Sequence, residues 1–154
     1  ISEKILIKGS DFIDIECISL RPSNIYGSGQ NEEMLLSKLI LGAIKGEIYL
    51  NDANPIRDYL HVSDLCNAIL GVINLSMQEN YLILNVASGE TFSNLELAEL
   101  IRDKIKPTSK IFVKNSQREN DTYDGRMNSK RLRDFINWEP KISMSEYINN
   151  QILE

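Results

Sequence analysis

Apolar spacing along this chain switches repeatedly between a strand period and a helix period, and that switching is what most limits the fold. Ile13 to Leu20 alternates and then fills with β-branched residues, as a strand buried toward its carboxyl end does. Met34 to Lys45 follows at helical spacing and is closed by Gly46. Ile48 to Leu50, Tyr81 to Val86 and Lys110 to Lys114 read as further short strands. Val62 to Leu75, Asn94 to Ile105, Ser129 to Ile136 and Ser143 to Leu153 read as helices. Ser93 with Glu96, and Ser143 with Glu146, have capping-box spacing, and Ser63 or Asp64 is the expected cap of the helix from Val62. Ile1 to Lys8 has helical spacing with no cap before it, so the chain is expected to open inside a helix that Gly9 and Ser10 end. Alternating strands and helices favour an α/β or mixed α+β fold.

The bulk numbers narrow the partners. The chain has 154 residues, enough for one ordinary domain or half of a larger one. With 42% hydrophobic and 25% charged residues it is globular in composition. A net charge of −5 argues against nucleic acid as the main partner. No apolar run reaches the roughly 18 residues of a membrane span, and no signal-peptide pattern opens the chain. Cys17 and Cys66 both fall in apolar runs, so both are expected as core thiols in a reducing, cytoplasmic setting. One histidine and two separated cysteines do not make a usual structural zinc site, and no metal is expected.

Three polar clusters occupy loop positions where α/β sheets bind ligands: Arg21 to Gly27, Arg57 to Asp64, and Arg118 to Asp121. The run from Arg57 to Leu65 holds an arginine, two aspartates and the only histidine. An arginine fork suits a phosphate, although an Arg-Asp pair serves equally well to pin a loop. His61, Asp58 and Asp64 are poor material for a catalytic triad, because no serine or cysteine has the context of a nucleophile. Gly27-Ser28-Gly29 lacks the third glycine of a dinucleotide fingerprint. The residues alone point to an anion-binding half-site without a catalytic centre.

A family resemblance adds to this. Arg21-Pro22-Ser23-Asn24-Ile25-Tyr26-Gly27 resembles the Arg-Pro-x-Asn-x-Tyr-Gly segment of extended short-chain dehydrogenases of the NAD-dependent epimerase/dehydratase family. Arg57 to Leu65 resembles their Arg-Asp-Tyr-Ile-His-Val-x-Asp-Leu. Leu84 to Glu90 with the helix start Ser93 to Ala98, Arg118 to Asp121, and Asn137 to Pro140 are similar to three further family segments, in family order. Asn128 and Asn137 stand where many relatives have Asp and Gly.

The resemblance implies an α/β fold: the C-terminal substrate-binding portion of a Rossmann-type extended dehydrogenase, lacking the N-terminal dinucleotide-binding half. It implies a single substrate-binding domain over 1–154, with the last Rossmann elements at 1–27. The catalytic Tyr-x-x-x-Lys would lie just upstream of Ile1, so no catalytic residue is expected here and this stretch alone is expected to be inactive. NAD or NADP would be held mainly by the other half, with Pro22 and Ser23 bordering the nicotinamide. Asn24, Arg57, Arg118 and Asp121 would contact a nucleotide-diphosphate sugar, and Ile48, Tyr49 and Leu50 would line its base. Asp58, His61, Asp64, Trp138 and Pro140 would be structural. The implied activity is that of a UDP-hexose 4-epimerase, with a 4,6-dehydratase, a keto-sugar reductase or a non-catalytic nucleotide-sugar-binding module as alternatives. A homodimer is implied, with no nucleic-acid or membrane partner.

Overall fold

Strand pairing decides where each element begins and ends. The computed structural model describes residues 2–13, 15–76, 80–116 and 122–151. In chain order the elements are α1 (Ser2–Ile13), β1 (Cys17–Pro22), β2 (Asn24–Tyr26), α2 (Leu35–Lys45), β3 (Glu47–Leu50), β4 (Ile56–His61) and α3 (Val62–Ile73). There follow β5 (Tyr81–Val86), β6 (Thr91–Ser93), α4 (Asn94–Ile105), β7 (Lys110–Val113), β8 (Asp124–Gly125), α5 (Lys130–Ile136) and α6 (Met144–Gln151). β1 pairs in parallel with β5, and β3 in parallel with β7. β4 is central to the third sheet: β6 lies antiparallel on one edge, while β2 and the two-residue β8, both parallel, pair with successive parts of the other.

Several expectations hold. Gly46 closes α2 in the left-handed conformation, with φ 98°. At α4 the capping box is complete, with Ser93 Oγ accepting from Glu96 N–H and the Glu96 carboxylate accepting from Ser93 N–H. Ser143 Oγ accepts from Glu146 N–H at 3.2 Å at the start of α6. Asn137 ends α5 with φ 49°, a left-handed position of the kind that glycine or asparagine takes after a helix.

Others are corrected. The first helix passes through Gly9 and runs to Ile13, and β1 starts at Cys17, not Ile13. The strand is set by its partner, since the register begins at Cys17 opposite Tyr81, the first residue of β5. β4 passes straight into α3, so His61 is the cap in place of Ser63 or Asp64; its Nδ1 accepts from Ser63 N–H at 3.2 Å. Cys66 is exposed and Cys17 only half-buried. The buried stripe of α3 is Asp64, Ala68 and Val72, and a residue two positions beyond Asp64 projects from the opposite side of the helix.

Two apolar clusters result. One joins α2, β3, α4 and α6 through residues such as Leu39, Ile48, Leu97, Ile101 and Ile148. The other joins β5 with α3 and α5 through Leu82, Leu84, Val86, Ala68, Leu132 and Trp138. β4 belongs to both, because Tyr59 points into the first cluster and Leu60 into the second. No helix among the described residues is long and apolar enough to cross a membrane.

Candidate functional site

A cleft of about 390 Å³ opens beside β2, the first part of β4, α2 and β3. That is the size of an ordinary small-molecule pocket, about 300–1,000 Å³. Asn24, Tyr49, Leu50 and Arg57, four of the residues singled out from sequence, line it together. Ile48 does not. Strand alternation turns Ile48 and Leu50 inward and leaves Tyr49 59% exposed, so Ile48 packs in the core while its neighbours border the cleft. The Tyr49 ring stacks on Phe112 of β7, with centroids 5.1 Å apart and planes 17° from parallel. The pair forms an exposed aromatic platform beside the opening.

Arg57 is half-buried on β4. Its Nη1 donates to the Ile56 carbonyl at 2.9 Å and to the Thr122 carbonyl, which anchors the guanidinium at the cleft wall. Asn24 opposes Tyr59 across the β2–β4 pair, and its Nδ2 donates to the Asp58 carbonyl at 3.1 Å. Tyr59 lines the same wall. Burial pushes its phenol up to about 12, with the Arg57 charge pulling it slightly back, so it is a neutral group in this wall.

The sequence reading missed the other polar side. Asn94, the first residue of α4, donates from Nδ2 to the Asp52 carbonyl at 2.9 Å, and Asp52 Oδ2 accepts from the Tyr123 hydroxyl at 3.2 Å. Only a helix start directed at the cleft would have marked Asn94, and that needs the fold. Gln30 also lines the cleft; its Oε1 is buried and has no hydrogen-bond partner among the described residues. At the rim Lys38 pairs with Glu33 at 2.7 Å and holds that carboxyl below its usual range.

Behind the cleft the motif residues bond to one another. Asp58 is fully buried. Its Oδ1 accepts from Ser23 Oγ at 2.6 Å and Ser88 N–H at 3.1 Å, and its Oδ2 accepts from Gly89 N–H at 2.8 Å. Asp64, also buried, accepts from the Lys141 and Ile142 amides at 3.0 and 3.1 Å, and its carbonyl accepts from Trp138 Nε1 at 3.1 Å. Pro22 is exposed at the carboxyl end of β1. Ser23 next to it turns both polar groups inward, the hydroxyl to Asp58 and the amide to the Val86 carbonyl at 2.9 Å. Arg21 is bound by Glu3 of α1, with Nε to Oε1 at 2.7 Å, and that pairing holds the Glu3 carboxyl at about 2. Arg118 and Asp121 lie outside the described residues.

Comparison with known proteins gives this geometry a family. Residues 2–87 match the model of the NAD dependent epimerase/dehydratase family. Probable GDP-L-fucose synthase 1 of Oryza sativa subsp. japonica is 26% identical over 142 residues, covering 85% of this chain and 42% of that protein. Among solved structures, UDP-glucose 4-epimerase of Thermotoga maritima with UDP-glucose superposes with a TM-score of 0.85 at 20% identity, over 99% of this chain and 52% of that one. The dTDP-glucose 4,6-dehydratase of Bacillus anthracis in complex with NAD gives 0.81 at 22% identity, over 98% and 48%. The chain therefore spans about half the length of the proteins it matches. It has their α/β Rossmann-like fold, and it belongs to the NAD-dependent epimerase/dehydratase family.

Proposed function

We propose that the cleft binds a nucleotide-diphosphate sugar and that the chain is the substrate-binding portion of an NAD-dependent nucleotide-sugar enzyme. A 4-epimerase acting on a UDP-hexose is the activity we put first. The observation that carries the reading is the convergence of Arg57, Asn24 and Tyr49 on one cleft from three strands. Arg57 supplies a fixed, permanently charged fork for a phosphate oxygen, with Arg118 and Asp121 proposed as further contacts. The Tyr49–Phe112 platform suits the flat face of a base, with Leu50 below it. The unpartnered Gln30 Oε1 suits a sugar hydroxyl or a base N–H, since buried acceptors are almost always satisfied.

NAD or NADP would supply the hydride acceptor, held mainly by residues outside this sequence. What this chain offers it is limited to the end of β1. Pro22 is exposed there and fits a ring edge, while Ser23, with hydroxyl and amide both committed inward, contributes shape and no free donor. A 4,6-dehydratase or keto-sugar reductase would use the same clamp, and so would a non-catalytic binding module. A cytoplasmic homodimer completes the reading.

Calorimetric titration of this chain with UDP and with GDP tests it. One of the two should bind, and Arg57→Ala should weaken that binding by about tenfold or more, as loss of a charged hydrogen-bonding partner does. No binding of either, or binding indifferent to Arg57→Ala, refutes the clamp. Conversion of UDP-glucose by the full-length enzyme with NAD, without net redox change, supports the epimerase. Turnover confined to GDP-sugars sinks that assignment and leaves the binding reading intact.

A further inference from the structure

Asp58 is an ionisable side chain with no exposed surface, and every donor the structure gives it comes from a different chain segment or from the turn facing it. Ser23 Oγ reaches it from the end of β1, one residue before Asn24. Ser88 and Gly89 reach it from the β5–β6 turn, with successive amides converging on one carboxylate and Gly89 at φ +83°. Paired amides of this kind form an anion-binding concavity, and here the anion is the protein's own. Ser88 Oγ lies 3.3 Å from Asp58 Oδ1 but 2.8 Å from the Tyr59 carbonyl, so its single hydrogen goes to the carbonyl.

Strand alternation sets the consequence. Asp58 and Arg57 are adjacent on β4, so when the carboxylate points back into this junction, the guanidinium points forward to the cleft. Asn24, too, is held by the Asp58 backbone carbonyl. We infer that Asp58 is a positioning residue for the cleft: it locks β1, β4 and the β5–β6 turn together and thereby fixes where Arg57 and Asn24 meet a diphosphate. This rests on the reading of the cleft given above.

Asp58→Asn is the sharp probe. The amide oxygen still accepts from Ser23 and Ser88, but the NH₂ group confronts the Gly89 N–H, donor against donor. UDP and GDP titrations of wild type, Arg57→Ala, Asp58→Asn and the double variant are run beside urea denaturation of each. Asp58→Asn should weaken nucleotide binding by about tenfold, and the double variant should bind within about twofold of Arg57→Ala, because contacting residues in one network couple. A role confined to fold stability would lower the urea midpoint and leave affinity unmoved. Ser23→Ala removes one hydrogen bond from the same carboxylate and serves if Asp58→Asn does not fold; it should weaken binding by about threefold. Arg57→Ala weakening binding while Asp58→Asn and Ser23→Ala leave it at the wild-type value overturns this inference alone. Multiplicative losses in the double variant also overturn it. Arg57→Ala without effect overturns the reading of the cleft, and this inference with it.

Discussion

The two faces of β4 meet differently finished surroundings. On the side of α2, α4 and α6, helices close over the strands, and Leu36, Leu39, Leu97, Ile101 and Ile148 have almost no exposed surface. On the side of α1, β1 and α3, the same kind of parallel pairing is left half-covered: β1 has no fully buried residue, and Ile5, Leu70 and Ile73 are about two-thirds exposed. Parallel strands usually occur with both faces covered. The difference shows where a ligand site can be rigid. The cleft borrows its walls from the closed region, while the candidate nicotinamide border at Pro22 lies on the open one.

The largest expected effect separates the regions directly. Leu97→Ala should cost about 2–5 kcal/mol in urea denaturation, as cavity-forming core truncations do, whereas Leu70→Ala should stay within about 0.5 kcal/mol. Equal losses would mean that the open face is covered in solution. Asp64→Ala, at the seam between α3 and the segment leading into α6, should cost about 2–3 kcal/mol by stranding the Lys141 and Ile142 amides. A loss below about 0.5 kcal/mol would show that the seam does not hold the regions together. Ser93→Ala, within the closed region, should cost about 1 kcal/mol by removing half of the capping box.

The smallest effects differ in sign. Pairing with Arg21 lowers Glu3 on the open side from 4.5 to about 2. Its contribution is therefore present above pH 4.5 and lost as pH falls toward 2. Glu90 in the closed region is raised, first by burial and then by the Asp58 carboxylate, with the Met144 N–H opposing. Its ionisation therefore costs stability as pH rises above 4.5. Thermal melts should show Glu3→Gln slightly less stable than wild type at neutral pH and Glu90→Gln slightly more stable. Each difference should fade as the wild-type side chain becomes protonated. Shifts of the same sign in both variants would contradict this assignment.

How much of this the sequence disclosed depended on the range of the interaction concerned. α2 and α4 were legible because their caps and apolar stripes are local, and the closing Gly46 and the Ser93–Glu96 pair did what their spacing implied. β2 and β6, three residues each, are too short to show a period, and they exist because β4 offers them an edge. Gly9 read as a stop because glycine costs about 1 kcal/mol inside a helix, an amount that surrounding structure can override. Asn24, Tyr49, Leu50 and Arg57 were named through their motifs, but Ile48 was separated from Tyr49 only by the strand's facing. Asp52 shows locally only as a turn residue bonded to Asn54, and what Asp52, Asn94 and Gln30 do at the cleft lies in partners 42 or more residues away or in the lack of one.

The direct passage of β4 into α3 at His61 limits what this part of the chain can become over generations. A connecting loop would absorb a gained or lost residue; here there is none between strand and helix. One residue inserted at that junction would turn every α3 side chain by about 100°, carrying Ala68 and Val72 off the core and Asp64 off its two amides. Substitutions on the outer face of α3 should accumulate freely among descendants of this chain, while length changes between Arg57 and Val72 should be purged.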